Sequence, residues 1–231
     1  MLSFRRVFEN LQIPTGIALI FDMDGVIVHS TALHTKAWEI YLARHGMNSN
    51  GVMAKMLGKR NDDIVRLLWG GGLAPAEVAR HGADKEELYR QLLSPVFDEH
   101  IVGGVREFLA AASRAGVPCA LATNAEPANV DFVLDRAGLR QRMLAIVDGH
   151  QVLRPKPDPE VFLKAAARLR VDTRNCVIFE DSPGGLAAAR ASGAHVAAVL
   201  TTLSEAPQAD IAVRDFHDPR LLPWLSSLTP R

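Results

Sequence analysis

Four short apolar runs in this chain each end on a cluster of polar or charged residues, and that recurrence narrows the possible folds more than any other feature. The first run, Ala18-Leu19-Ile20-Phe21, leads directly into Asp22-Met23-Asp24-Gly25-Val26. A run this short and this apolar, bounded by turn residues, reads as a fully buried strand of a parallel sheet. Open parallel sheets place their ligand sites just beyond the carboxyl ends of their strands. Two aspartates one residue apart at such an end are costly unless something neutralises them. A divalent cation does this naturally, because hard ions prefer carboxylate and carbonyl oxygens. The segment therefore predicts a Mg²⁺ site with a carboxylate free to react.

At 231 residues the chain is long enough for one large α/β domain or for a core with a smaller appendage. Lys and Arg number 26, as do Asp and Glu, with no long run of either sign. That balance offers no electrostatic reason to expect nucleic acid or an anionic membrane as partner. Cys119 and Cys176 sit in apolar strand-like runs and read as buried free thiols. Nothing approaches the length of a membrane span. Residues 1–16 carry Arg5 and Arg6 but neither an apolar signal core nor a cleavage site. They read as a short surface extension on a cytoplasmic protein.

After the first strand the pattern is helical. Leu33, Ala37, Ile40 and Tyr41 fall at helical spacing, and His45-Gly46 closes that helix. A short helix is expected from Asn50 to Leu57, stopping at Gly58. Asn61 could cap another, with Asp62 and Asp63 in its first turn and Gly70 at its end. Asp84 with Glu87 resembles a capping box for a helix through Leu93. From Gly103 onward helix-like and strand-like segments alternate: Val105–Ala115, Val117–Ala122, Pro127–Ala137, Met143–Val147, Asp158–Leu169, Cys176–Phe179, Pro183–Ser192 and His195–Leu200. Such alternation predicts a doubly wound parallel sheet with helices on both faces. The expected layout is an α/β core of residues 1–30 and 101–231, with residues 31–100 as an all-helical insertion after the first strand.

The later strands also end in chemistry. Ala120-Leu121-Ala122 leads to Thr123-Asn124, a hydroxyl and an amide with free backbone N–H groups just before a helix, where an anionic oxygen is well held. Val177-Ile178-Phe179 leads to a second acidic pair, Glu180-Asp181. Between them, three prolines stiffen the backbone around Lys156 in Arg154-Pro155-Lys156-Pro157-Asp158-Pro159. A lysine held near carboxylates can neutralise them and hold a phosphate as a point charge. Each element has a plainer reading: Asp181 or Thr123 as a helix cap, Lys156 as a surface lysine. Their recurrence in order along one sheet edge favours a common site.

Asp22-Met23-Asp24-Gly25-Val26, Thr123-Asn124, Lys156 in its proline-rich setting and Glu180-Asp181 together resemble the four motifs of the haloacid dehalogenase superfamily. The resemblance spans nearly the whole chain, and its helical insertion looks like the cap of the subgroup that holds β-phosphoglucomutase and phosphoglycolate phosphatase. It implies that Asp22 is the nucleophile and becomes an aspartyl phosphate, and that Asp24 is the general acid and then the base. It implies Mg²⁺ held by Asp22, Asp24 and Asp181 with Glu180 supporting them, and phosphoryl oxygens held by Thr123, Asn124 and Lys156. A carboxylate at position 24 favours phosphate ester chemistry over dehalogenation or phosphonate cleavage.

The resemblance also places His34, Lys59 and Arg60 among the substrate-binding residues of the cap, beside the plainer readings of His34 as a satisfied surface histidine and of Lys59 and Arg60 as solvated charges. Trp38 fits either that surface or the core of an amphipathic helix. One departure argues against a mutase: Ala125, Glu126 and Pro127 stand where the mutase pattern has a serine, a lysine and an asparagine that grip a distal phosphate. His29, where relatives usually carry an acidic residue, is a further departure to which no role is assigned. The expected activity is a Mg²⁺-dependent phosphatase of a small phosphorylated metabolite such as a sugar phosphate. The alternatives are a β-phosphoglucomutase-like mutase and an inactive metabolite-binding module.

Overall fold

Every residue of β1 (Ala18–Phe21), β2 (Cys119–Ala122) and β4 (Cys176–Glu180) is buried, as strands covered on both faces must be. The computed structural model describes Phe8, residues 11–48 and residues 60–231. With β3 (Ala145–Val147), β5 (His195–Val199) and β6 (Ile211–Val213), these strands form a six-stranded sheet in the order β3-β2-β1-β4-β5-β6. All five pairings are parallel. Connections between parallel neighbours need crossovers, and the helices Val105–Arg114, Pro127–Ala137, Glu160–Leu169 and Pro183–Ala191 supply them. The fold is a doubly wound α/β sheet.

The two-residue period of β1 divides its side chains between two cores. Ala18 and Ile20 join Ala120, Ile178 and Val196 against Phe162, Ala165 and Leu186 from the helices. Phe21 faces the other way, stacked on Phe179 with ring centroids 4.8 Å apart and packed edge-on against Phe108. Register pairs Phe21 with Leu121 on one side and with Phe179 on the other. This brings the ends of β1, β2 and β4 to one level, so residues 22, 123 and 181 emerge at the same edge.

The chain divides into two compact units, one of Met1–His29 with Ile101–Arg231 and one of Ser30–His100. Among its described residues the second unit is wholly helical: Thr31–Arg44, Asn61–Trp69 and Pro75–Leu93, the last running into a 3₁₀ segment, Ser94–His100. Its interior is built from Trp38, Tyr41, Leu42, Ile64, Val65, Val78, Tyr89 and Leu93.

Several local readings need correction. Asp84 and Glu87 do not start a helix, because that helix begins at Pro75 and Asp84 lies within it. Its opening turn is closed by Glu77, whose Oε2 accepts the Ala74 N–H at 3.0 Å. Asn61 is not a cap either. Arg60 takes that position, and the Asn61 amide instead donates to Glu86 Oε1 at 2.7 Å. Nor is the N-terminal stretch only a surface extension: Phe8 is buried, edge-on to Phe108 and stacked on His217. No long apolar run or capping side chain in the sequence announces β6 or the helix Leu221–Ser227. The helix expected from Asn50 to Leu57, with Gly58 and Lys59, lies outside the described residues. Cys119 and Cys176 are free and buried, and burial pushes both thiols up to about 12.

Candidate active site

Lys156 lies between two carboxylates, its ammonium donating to Asp22 Oδ1 and to Glu180 Oε1, each at 2.6 Å. A third bond, 3.2 Å long, reaches the carbonyl of Ala122 at the end of β2. The loop that carries it is held from both sides. The Lys156 N–H donates to Asn124 Oδ1 at 3.3 Å, and the Glu160 carboxylate accepts the N–H groups of Leu153 and Arg154 at 3.0 Å each. Burial works to lower the Lys156 pKa, but the charges of Asp22 and Glu180 outweigh it and hold the group as an ammonium.

Asp22 sits one residue beyond β1, and its N–H continues the ladder to Phe179 O at 3.0 Å. Asp181 follows the last residue of β4. Asp22, Glu180 and Asp181 each offer an oxygen, and these all lie within 4.8 Å of one another. Burial, opposed by Lys156 and reinforced by Glu180 and Asp24, pushes the Asp22 carboxyl up to about 7. Burial and then the charges of Glu180 and Asp22 push Asp181 up to about 8. With all three carboxyls ionised, one ammonium would leave a surplus of two negative charges in a buried place. An all-oxygen donor set with that surplus suits a hard divalent cation such as Mg²⁺.

Glu180 is committed differently from its neighbours. Its Oε2 accepts the N–H groups of Asp181 and Ser182 at 2.8 and 2.9 Å and the Ser182 hydroxyl at 3.1 Å. It therefore braces the turn that presents Asp181. The turn packs so closely that a Cβ on Gly185 would fall 1.8 Å from Glu180 Oε1. Ser182, not Asp181, caps the following helix, accepting the Gly185 N–H at 3.1 Å. Asp24 is half-buried in a tight turn, where the Gly25 N–H donates to Val28 O at 2.7 Å.

At the end of β2 the expected free N–H groups are only partly so. The Thr123 N–H donates to Val147 O at 3.0 Å, and the helix starts later, at Pro127. The Thr123 hydroxyl accepts the Ala125 N–H at 3.1 Å, which leaves its proton to donate.

The structure thus gathers Asp22, Lys156, Glu180 and Asp181, and it sets Asp24, Thr123 and Asn124 on the adjoining strand ends. His34 and Arg60 belong to the helical unit. There the His34 ring stacks on Tyr89 with centroids 3.7 Å apart, and its Nδ1 lies 2.8 Å from Lys85 Nζ. An ammonium can only donate, so Nδ1 accepts and the ring proton sits on Nε2. Lys85 also donates to Glu86 Oε1 at 2.8 Å and lies 5.2 Å from the centre of the Trp38 ring. Trp38 is itself buried, as a core residue would be.

No motif marks Lys85 and Glu86. Nor does any mark Thr202, whose hydroxyl donates to Asp181, or Thr201, whose hydroxyl donates to Gly25 O at 2.6 Å. These two follow the apolar run of β5, so the rule that exposed the other strand ends applies to them as well.

Comparison with known proteins identifies the family. The profile of haloacid dehalogenase-like hydrolases matches residues 18–193, and the chain belongs to that family of enzymes. It is 30% identical over 185 residues to the β-phosphoglucomutase of Bacillus subtilis strain 168, covering 76% of this chain and 80% of that protein. It is 32% identical over 177 residues to the fructose-1-phosphate phosphatase YqaB of Escherichia coli K12, covering 76% and 92%. Among solved structures, CbbY from Rhodobacter sphaeroides in complex with phosphate superposes with a TM-score of 0.75 at 26% identity, covering 89% of this chain and 96% of that one. No helix among the described residues is long and apolar enough to cross a membrane.

Proposed function

We propose that this chain is a Mg²⁺-dependent phosphatase that hydrolyses a small phosphorylated metabolite of the sugar-phosphate class through an aspartyl phosphate on Asp22. The observation that carries the reading is Lys156 shared between Asp22 and Glu180, with Asp181 within reach of both. One ammonium there organises two carboxylates and still leaves a surplus for a cation. Residues 1–30 and 101–231 would be the catalytic core, and residues 31–100, with His34, Lys59 and Arg60, the cap that reads the rest of the substrate.

Asp22, Asp181 and the backbone carbonyl of Asp24 would hold the Mg²⁺, with Glu180 bracing Asp181. When bound, the ion disperses charge on the phosphoryl oxygens and aligns them for in-line attack. An oxygen of Asp22 attacks phosphorus as the bond from phosphorus to the ester oxygen breaks, and Asp24 delivers its proton to the departing oxygen. Asp24 then takes a proton from water as that water attacks the aspartyl phosphate, which releases phosphate and restores Asp22. The Thr123 hydroxyl and the Asn124 amide donate to the phosphoryl oxygens, and Lys156 offsets their charge.

The mutase reading has in its favour the 30% identity to a β-phosphoglucomutase. Against it, the Ala125 N–H is spent on Thr123, the Ala125 carbonyl accepts the Gly149 N–H at 2.8 Å, and Glu126 would repel a second phosphate. The test is phosphate release from a panel of small esters with Mg²⁺, wild type against Asp22→Asn. β-Glucose 1-phosphate is assayed in parallel for glucose 6-phosphate formation, with and without the 1,6-bisphosphate. Release abolished in Asp22→Asn supports the phosphatase. Isomer formation that outpaces release replaces it with the mutase, and release that survives the substitution removes Asp22 as nucleophile.

A further inference from the structure

Thr201 and Thr202 lie on the turn after β5, which the sheet holds firmly. The Leu200 N–H donates to Val213 O in β6 at 2.8 Å, and the Thr201 N–H donates to Val199 O at 2.9 Å. From that turn both hydroxyls face Asp181. Thr202 Oγ1 donates to Asp181 Oδ2 in a short hydrogen bond. Thr201 Oγ1 lies 3.4 Å from the same oxygen but only 2.6 Å from the carbonyl of Gly25. A hydroxyl has one proton, and the shorter contact takes it, so Thr201 is bonded to Gly25 and Thr202 is the donor to Asp181.

Gly25 closes the other side of that oxygen. Its φ is +78°, and a Cβ there would fall 1.9 Å from Asp181 Oδ2. Oδ2 is therefore enclosed by the Thr202 hydroxyl and the Gly25 backbone, whereas among the described residues Oδ1 accepts no hydrogen bond. A carboxylate held this way has one oxygen committed to protein and the other available.

We infer that Thr202 is a positioning residue for the cation site: it fixes Asp181 through Oδ2 so that Oδ1 is the ligand oxygen, while Thr201 ties the turn to Gly25 in the loop that carries Asp22 and Asp24. This rests on the cation reading above and assigns a role that none of the four motifs covers. β6, at the sheet edge, gains a purpose by it, since its pairing with β5 anchors the turn that bears the threonines. Hydrogen-bond partners of metal ligands typically contribute about 10–100-fold to metal affinity.

The test uses Mn²⁺ as the probe, its binding read from the electron paramagnetic resonance of the free ion, so that turnover does not enter. Thr202→Val keeps the shape and removes the donor, and its Kd for Mn²⁺ should rise about 10–100-fold. Thr202→Ser should recover most of the affinity, and Thr201→Val should lose less than Thr202→Val. Thr202→Ala removes the same donor with less bulk and replaces the valine variant should that one fail to fold. A hydroxyl that only packs the turn would lower Tm and leave the Kd unchanged, and that result overturns the inference while leaving the cation site intact. Folded wild type that binds no Mn²⁺ overturns both.

Discussion

In the α/β unit the buried charges gather at strand ends, where Lys156 is shared by Asp22 and Glu180 and Asp181 stands beside them. In the helical unit they lie along helix flanks, with Lys85 set between Glu86 and His34 and against the Trp38 ring. The first set has more carboxylates than cations, and burial, together with their mutual charges, pushes Asp22 and Asp181 up. The second balances within itself, since Glu86 Oε1 also accepts the Asn61 amide. Buried charge is tolerated when it is paired and hydrogen-bonded, and an unbalanced set calls for a ligand. Excess charge marks a site, while a completed network holds helices together.

The sharpest break in that comparison is Asp22→Asn. Loss of a nucleophile should cut turnover by at least about 10⁴-fold. Because the change also removes a crowded buried charge, Tm in EDTA should hold or rise; a large fall in Tm would show that the cluster is structural and not poised for a cation.

Lys85→Met should act in the opposite sense. Removing one partner of a buried ion pair costs about 3–5 kcal/mol, so the helical unit should lose stability on that scale in urea denaturation. Adding Glu86→Gln, which still accepts from Asn61, should recover part of it. Equal stability of Lys85→Met and wild type would contradict the self-balancing network.

Gly185→Ala tests how tightly Glu180 is braced. Overpacking in a filled interior costs about 1–3 kcal/mol. It should be accompanied by weaker divalent-cation binding, because Glu180 and Asp181 share one turn. A fall in stability with unaltered Mn²⁺ affinity would separate the two residues.

A pH dependence of opposite sign is expected in the two units. Asp22 and Asp181 are raised from 3.8 to about 7 and about 8, so in EDTA they stabilise the folded state fully below 3.8. That contribution is lost as pH rises through 7 to 8. His81 bonds to Tyr41 at 2.8 Å, and burial, followed by the charges of His45 and Arg80, lowers its pKa below the ordinary 6.5. Its contribution is present above 6.5 and lost as pH falls through the lower, folded value. Segment-resolved hydrogen exchange in EDTA should show β1 and β4 loosening toward alkaline pH and the helix Pro75–Leu93 loosening toward acid. Mg²⁺ should suppress only the alkaline change, and the same direction in both units would refute the contrast.

The sequence by itself determined the alternation of strands and helices from Gly103 on, the helical character after β1, and the polar ends of β1, β2 and β4. Those features are local: an apolar run, a turn residue and a chemical group stand next to one another in the chain. Tertiary structure alone decided that the Lys156 ammonium donates to Asp22, 134 residues away, that Thr202 grips Asp181, and that Asn61 bonds Glu86 instead of capping its helix. Asn61 shows the reason. A side chain that could satisfy its own backbone locally goes to a distant carboxylate when burial makes that carboxylate's need greater. The start of the helix at Pro75 is hidden in the sequence, because Ala74 has no side-chain oxygen to announce a cap and Glu77 makes the bond from within the helix. Adjacent residues reveal which groups are present, while burial decides which of them must find one another.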